Sequence, residues 1–148
     1  MFGKILHLGI VVPDLEMALE IYENELGISP WKLEDARPFF ADKKVNDGYG
    51  LNIRTAMFKG DGYEIELVMP VGPGIYKDWL DKRGPGLHHI KFETDKSYEE
   101  MVQMGERVSK DSHYLDVRWP DGNPLVSYIS LLEAAGLILE CGPEDDVK

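Results

Sequence analysis

Hydrophobic and polar positions change rhythm in a fixed order along this chain, and that order occurs twice. Ile5 to Val12 is an apolar stretch rich in β-branched residues, interrupted by His7 and ended by Pro13, which predicts a buried strand. Behind Asp14, a good helix cap, Leu15, Ala18, Leu19, Tyr22 and Leu26 recur at helical spacing, and Gly27 stands where a left-handed residue closes a helix. The opposite helix face carries Glu16, Glu20, Glu23 and Glu25. From Trp31 to Tyr49 no period is sustained, so this segment reads as a long loop or covering flap. Leu51 to Phe58 and Tyr63 to Met69 flank the turn-forming Lys59-Gly60-Asp61-Gly62 and predict a hairpin, in which pairing Phe58 with Tyr63 sets Thr55 opposite Glu66. Ile75 to Arg83 predicts a short helix, stopped by Gly84-Pro85-Gly86.

The rhythm then restarts. Leu87 to Glu93 predicts a strand, Ser97-Tyr98-Glu99-Glu100 fits a capping box, and Tyr98, Met101, Val102, Gly105 and Val108 supply the inner face of the helix it opens. A stretch rich in Asp and Pro leads to a last hairpin, Leu125 to Leu132 and Leu137 to Cys141. Each half reads βαβββ, which predicts a single α+β domain over residues 1–148 made of two repeats, at about 1–83 and 86–148. One helix per half leaves a sheet face bare, so the halves must pack or pair, and a homodimer is expected.

The repeat also duplicates chemistry. His7 and His89 open the matched segments His-Leu-Gly-Ile-Val-Val-Pro-Asp and His-Ile-Lys-Phe-Glu-Thr-Asp. Each half later places a glutamate in an apolar strand shortly after a glycine, Glu66 after Gly62 and Glu140 after Gly136. Imidazoles and carboxylates at equivalent repeat positions form the mixed nitrogen and oxygen set that divalent metals take, and they predict one site suited to Co, Mn, Ni, Zn or Fe. Glu140 is the stronger acid of the pair, because a carboxylate between Leu139 and Cys141 must be paired or reach solvent. Glu66 alternates with Glu64, a pattern also seen on exposed strand faces. Strict alternation puts His89, Lys91 and Glu93 on one face and His88, Ile90 and Phe92 on the other. Lys91 is therefore a candidate helper for a developing oxyanion, and His88 a structural residue whose replacement should leave the metal in place. Cys141 reads as a small buried hydrophobe, His113 as a loop residue, and Trp31, Phe39, Phe40 and Tyr49 as candidates to wall an apolar pocket.

With 16 Lys and Arg against 27 Asp and Glu, the net charge of −11 and the absence of any basic run exclude nucleic acid as a partner and mildly disfavour polyanionic ligands. A single cysteine forms no internal disulfide, no apolar run approaches the ~18 residues of a membrane span, and the apolar start holds His7 without a cleavage site. A cytoplasmic protein without membrane contact is expected.

Taken together, His7-Leu8-Gly9-Ile10-Val11-Val12-Pro13-Asp14-Leu15, then Ala18, Tyr22 and Leu26-Gly27-Ile28, Ile65-Glu66-Leu67, Gly86-Leu87-His88-His89-Ile90 and Ile138-Leu139-Glu140 resemble the vicinal oxygen chelate (glyoxalase and bleomycin resistance) superfamily over nearly the whole chain. Within it they are most similar to the methylmalonyl-CoA epimerase-like branch, which includes racemases of isoflavanones such as dihydrodaidzein. The resemblance implies paired βαβββ units in a curled, mostly antiparallel sheet around one divalent ion, with His7, Glu66, His89 and Glu140 as ligands and positions left for substrate oxygens or water. It also implies an isomerase that removes a proton from a carbon beside a carbonyl and returns it to the other face, with a metal-stabilised enolate. A catalytic glutamate that the branch carries near the start of the strand before the first hairpin turn has no counterpart here, since no acid occurs between Asp47 and Asp61. Glu140 is therefore the expected proton carrier, Glu66 the returning group and Lys91 a substitute. The expected partner is a small-molecule carbonyl substrate, either methylmalonyl-CoA or, favoured by the aromatic flap, an isoflavanone-type ketone. A glyoxalase I-like lyase would need the same ligands, whereas a non-catalytic binding protein for an aromatic drug or metabolite would need no metal.

Overall fold

The computed structural model describes residues 2–143, and within them nine strands join in one open sheet. The strands are β1 (Phe2–Val11), β2 (Lys32–Asp35), β3 (Lys44–Val45), β4 (Ile53–Lys59), β5 (Glu64–Pro70), β6 (Gly86–Thr94), β7 (His113–Arg118), β8 (Pro124–Ser130) and β9 (Ile138–Cys141). The helices are α1 (Leu15–Glu20), α2 (Arg37–Phe40), α3 (Ile75–Arg83), α4 (Tyr98–Val108) and α5 (Leu132–Ala135). From the central pair outward the order is β1, β5, β4, β2 on one side and β6, β9, β8, β7, β3 on the other. β1 runs parallel to β5 and β6 parallel to β9, while β1 and β6 meet antiparallel at the centre. No helix among the described residues is long and apolar enough to cross a membrane.

Alternation along the strands divides the core. Ile65 and Leu67 of β5 turn to α1, where they meet Leu15 and Leu19. Asp14 caps α1 by accepting from the Met17 N–H at 3.0 Å, and full burial of Leu15 contributes about 1.5–3 kcal/mol. Ile129, Leu139 and Cys141 turn to Tyr98 and Met101 of α4, whose start is capped by Ser97 accepting from the Glu100 N–H. Cys141 is thus the small buried residue that its strand pattern predicts. Intervening residues Val11, Val68, Leu115, Val117 and Tyr128 join Ile53 and Tyr76 in a third cluster that runs across both halves. Glu66 and Glu140 belong to this third set by strand alternation.

Three local readings are corrected. The segment 31–49 is not one loop: it contains β2 on β4, helix α2, and β3 on β7, so it runs between the two outermost positions of the open sheet. Asn46 fastens the far end, its Oδ1 accepting from the Asp116 N–H at 2.9 Å and its Nδ2 donating to the Tyr114 carbonyl at 3.2 Å. The stretch before the last hairpin holds a full strand, β7, which takes His113 out of a loop and bonds its Nε2 to Ser127 Oγ at 2.8 Å. In the first hairpin Lys59 joins the ladder, so Met57 faces Glu66 and Thr55 faces Val68. That shift is an even step, which leaves Glu66 on its expected face. A smaller difference lies beyond Glu20, where the helix widens, Leu26 N–H reaches the Ile21 carbonyl at 3.2 Å, and Leu26 turns to solvent.

Helix α4 lies so close to the sheet that a Cβ on Gly105 would stand 2.5 Å from Ile129 Cγ2 and 2.8 Å from Ser112 Oγ. Gly105→Ala gains about 1 kcal/mol of helix propensity and loses about 1–3 kcal/mol to overpacking, so thermal denaturation should show a lower midpoint. A midpoint equal to or above that of the unchanged protein would contradict this packing.

Candidate metal centre

The central seam brings the site together. In the β1–β6 ladder His7 stands opposite Lys91 and Gly9 opposite His89, and on the other side of β1 the parallel ladder aligns Gly9 with Glu66. His7 Nε2 and His89 Nε2 are 3.2 Å apart, and Glu66 Oε1 lies 3.5 Å from each. Glu140 Oε2 approaches from β9 to 4.0 Å from His7 Nε2. Donor atoms that bind one ion at about 2.0–2.2 Å sit about 3–3.5 Å from one another, so the spacing of His7, Glu66 and His89 fits a shared divalent ion. Among the described residues these three form the donor cluster, all within 4.8 Å, and Glu140 borders it.

Gly9 makes this geometry possible. A Cβ there would lie 2.0 Å from His89 Cε1 and 2.2 Å from its Nε2, so the imidazole occupies the space a side chain would fill. The His89 ring stacks on Tyr128 at 4.6 Å between centroids and on His7 at 5.2 Å, and its side chain has no exposed surface. Burial, reinforced by the neighbouring His88 and His7 rings, pushes the His89 pKa well below its usual value. His7 is pulled both ways. Burial disfavours its cation, but contact with Glu66 and the fields of Glu140, Glu66 and Glu64 prevail and raise its pKa.

His88 departs from the alternation rule. Gly9 pairs with His89 but Ile10 pairs with Leu87, so β6 carries one extra residue at His88, and this bulge buries both histidines. The His88 and His89 Nδ1 atoms are 2.9 Å apart, and His88 lies among the rings of Tyr76, Trp79, Tyr114 and Tyr128. Burial lowers the His88 pKa to about 4.

A cavity of about 320 Å³ opens beside the cluster, lined by Glu66, Glu140, Tyr76 and Tyr128, by Ile53 and Thr55 of β4, and by Glu34, Phe39 and Phe40 of the covering segment. The Tyr76 and Tyr128 hydroxyls bond each other at 2.8 Å, and burial drives both pKa values well above the ordinary phenol range, so they remain neutral donors. Of the aromatic residues expected to wall a pocket, Phe39 and Phe40 do so. Trp31 instead packs on Tyr22 and Phe58, and Tyr49, though exposed, lines a separate hollow with Phe40. Lys91 lines a different hollow, with Lys4, His7, Glu64 and Glu140. Glu34, Tyr76, Tyr128 and Gly9 were not singled out from the sequence. Glu34 escaped notice because every residue of β2 is exposed, which leaves no alternation to read.

Comparison with known proteins identifies the family and the fold. The family model described as the glyoxalase/bleomycin resistance protein/dioxygenase superfamily matches residues 6–116. The chain is 27% identical over 146 residues to the uncharacterized protein YqjC of Bacillus subtilis, covering 97% of this chain and 95% of that protein. It is 27% identical over 113 residues to an ethylmalonyl-CoA/methylmalonyl-CoA epimerase of Cereibacter sphaeroides, covering 73% and 75%. Among solved structures, a hypothetical protein from Bacillus halodurans superposes with a TM-score of 0.65 at 21% identity, covering 94% of this chain and 92% of that one. A methylmalonyl-CoA epimerase of Streptomyces coelicolor in complex with 2-nitronate-propionyl-CoA superposes with a TM-score of 0.61 at 22% identity, covering 96% and 94%. These structural likenesses are of fold.

The close approach at Gly9 gives a direct check. Gly9→Ala should displace the His89 ring and weaken uptake of added cobalt by at least about tenfold, read by equilibrium dialysis on protein that still melts cooperatively. Unchanged uptake by the Gly9→Ala protein would show that His89 does not need this space.

Proposed function

The chain belongs to the glyoxalase/bleomycin resistance protein/dioxygenase superfamily, and on that premise we propose that it is a metal-dependent epimerase acting at a carbon next to a carbonyl. The observation that carries the reading is a two-histidine, carboxylate donor cluster beside a cavity into which further carboxylates project. His7, Glu66 and His89, with Glu140, are the proposed holders of one divalent ion, which when bound would stabilise negative charge developing on the substrate carbonyl oxygen.

In this reading Glu140 removes the α-proton, and Glu66, on the opposite half of the sheet, returns one to the other face. Glu34 adds a carboxylate that borders the cavity but stands outside the donor cluster, so it can carry a proton without leaving the ion. It offers the acid that the 47–61 stretch lacks. Lys91 is the weaker assignment, because it lines the neighbouring hollow. Ile53, Phe39 and Phe40 keep the acyl end away from water, and the bonded pair of neutral Tyr76 and Tyr128 hydroxyls leaves one O–H as a donor without adding charge. Similarity to an enzyme named for ethylmalonyl-CoA and methylmalonyl-CoA favours a small acyl-CoA thioester, while the Phe39 and Phe40 wall also suits a flat aromatic ketone. A homodimer is part of this reading, and sedimentation at micromolar concentration would resolve it from a monomer.

Solvent-deuterium exchange at the α-carbon, followed by NMR over methylmalonyl-CoA and small chiral ketones, tests the activity. Metal-loaded protein should exchange and racemise one of them, and protein stripped by chelator should not. Absence of exchange across the panel by loaded protein would overturn the epimerase reading. Glu140→Gln should lower exchange by about 10²–10⁴-fold while part of the metal remains, because the amide keeps an oxygen but accepts no proton as a carboxylate does. Near-normal exchange in metal-loaded Glu140→Gln, with loss in Glu34→Gln, would transfer the role to Glu34.

A further inference from the structure

His89 does not end at its own ring. Its Nε2 faces His7 and Glu66, and its Nδ1 lies 2.9 Å from His88 Nδ1. The other nitrogen of His88, Nε2, lies 2.5 Å from the Tyr114 hydroxyl. Both histidines are buried, at 3% and 1% exposure, and aromatic rings enclose His88, so water cannot replace a lost partner at the Nδ1 contact. The three side chains form one hydrogen-bonded row, and only two arrangements of its protons satisfy every contact.

In one arrangement the Tyr114 hydroxyl donates to His88 Nε2, His88 Nδ1–H donates to His89 Nδ1, and His89 carries its proton on Nε2, turned toward Glu66. That form has no lone pair for a metal. In the other, His89 Nδ1–H donates to His88 Nδ1, His88 Nε2–H donates to the Tyr114 oxygen, and His89 Nε2 presents its lone pair to the cluster. A phenol hydroxyl can donate or accept, so the tyrosine can make this change, and its residue also lines a separate cavity of about 290 Å³. A ligand imidazole held by an acceptor on its second nitrogen is oriented and made more basic.

We propose that His88 and Tyr114 are positioning residues for the metal site, forming an acceptor row that holds His89 with its Nε2 lone pair aimed at the donor cluster. This rests on the reading of His89 as a metal ligand. It also replaces the expectation from strand alternation that His88 is indifferent to the metal. Neither residue lines the cavity beside the cluster, and the row reaches the donor cluster through the contact of His88 with His89.

The test uses zinc affinity of the full chain by competition with a chromophoric chelator, together with side-chain ¹⁵N NMR of the zinc-loaded protein. His88→Leu removes the acceptor and should weaken zinc binding by about 10- to 100-fold. His88→Asn places an amide oxygen near the Nδ1 position and should restore binding to within a few-fold of the unchanged protein, a rescue that a space-filling role would not produce. Tyr114→Phe, which keeps the ring, should cause a smaller loss. The NMR spectra should show His89 protonated at Nδ1 and His88 at Nε2. Equal zinc affinity in the unchanged and His88→Leu proteins, or zinc-loaded His88 protonated at Nδ1, would overturn the inference while leaving the metal site intact. Failure of the unchanged protein to take up zinc, cobalt or manganese would overturn the metal reading and this inference with it.

Discussion

The structure turns on the antiparallel contact of β1 with β6. These strands come from different halves of the chain, and each carries one histidine of the cluster. Their register sets Gly9 against His89, and the missing side chain of Gly9 lets the imidazole lie over the β1 backbone within 3.2 Å of His7. From that contact the remaining geometry follows. β5 joins β1 in parallel and delivers Glu66, and β9 joins β6 in parallel and delivers Glu140. A one-residue slip at the seam would turn His7 from the donor cluster into the apolar layer under the helices. The apolar cluster beneath α1 opposes such a slip, because it would also turn Ile10 of β1 out of that layer.

Burial gives the site its electrostatic character. His88 and His89 are kept neutral by desolvation, and so are the Tyr76 and Tyr128 hydroxyls. The charge near the cavity is therefore concentrated on carboxylates, Glu66 and Glu140 at the seam and Glu34 on the covering segment. Two of these approach His7 and raise its affinity for positive charge. A cation in the same place would meet the same field, which is why a divalent ion fits the donor set better than an organic anion alone does. The covering segment then joins opposite ends of the sheet order, through β2 and β3, and brings Phe39 and Phe40 over the carboxylates.

Much of this was legible in the sequence, and for a physical reason. Strands with one face against a helix alternate, so Ile65, Leu67 and Glu66 declare both their strand and their faces. Asp14 and Ser97 mark helix starts because their oxygens meet backbone donors there. The repeated histidine and glutamate positions likewise identify residues that the seam brings within reach of one another. Edge strands were illegible, since β2 is exposed throughout and β3 has two residues, and Glu34 was hidden with them. His88 was misplaced because alternation assumes a regular ladder, and a bulge in the partner of Gly9 is a tertiary event. The role of Gly9 was equally invisible, because only the neighbour across the seam shows what its side chain would displace.

The central claim is that the seam assembles one metal site from both halves of the chain. An anomalous difference map from cobalt-loaded crystals tests it most directly. One strong peak is expected about 2.0–2.2 Å from Nε2 of both His7 and His89, with the Glu66 carboxylate and that of Glu140 completing the protein ligands. A peak held by other residues, or no peak between the two imidazoles in crystals that contain cobalt, would contradict it.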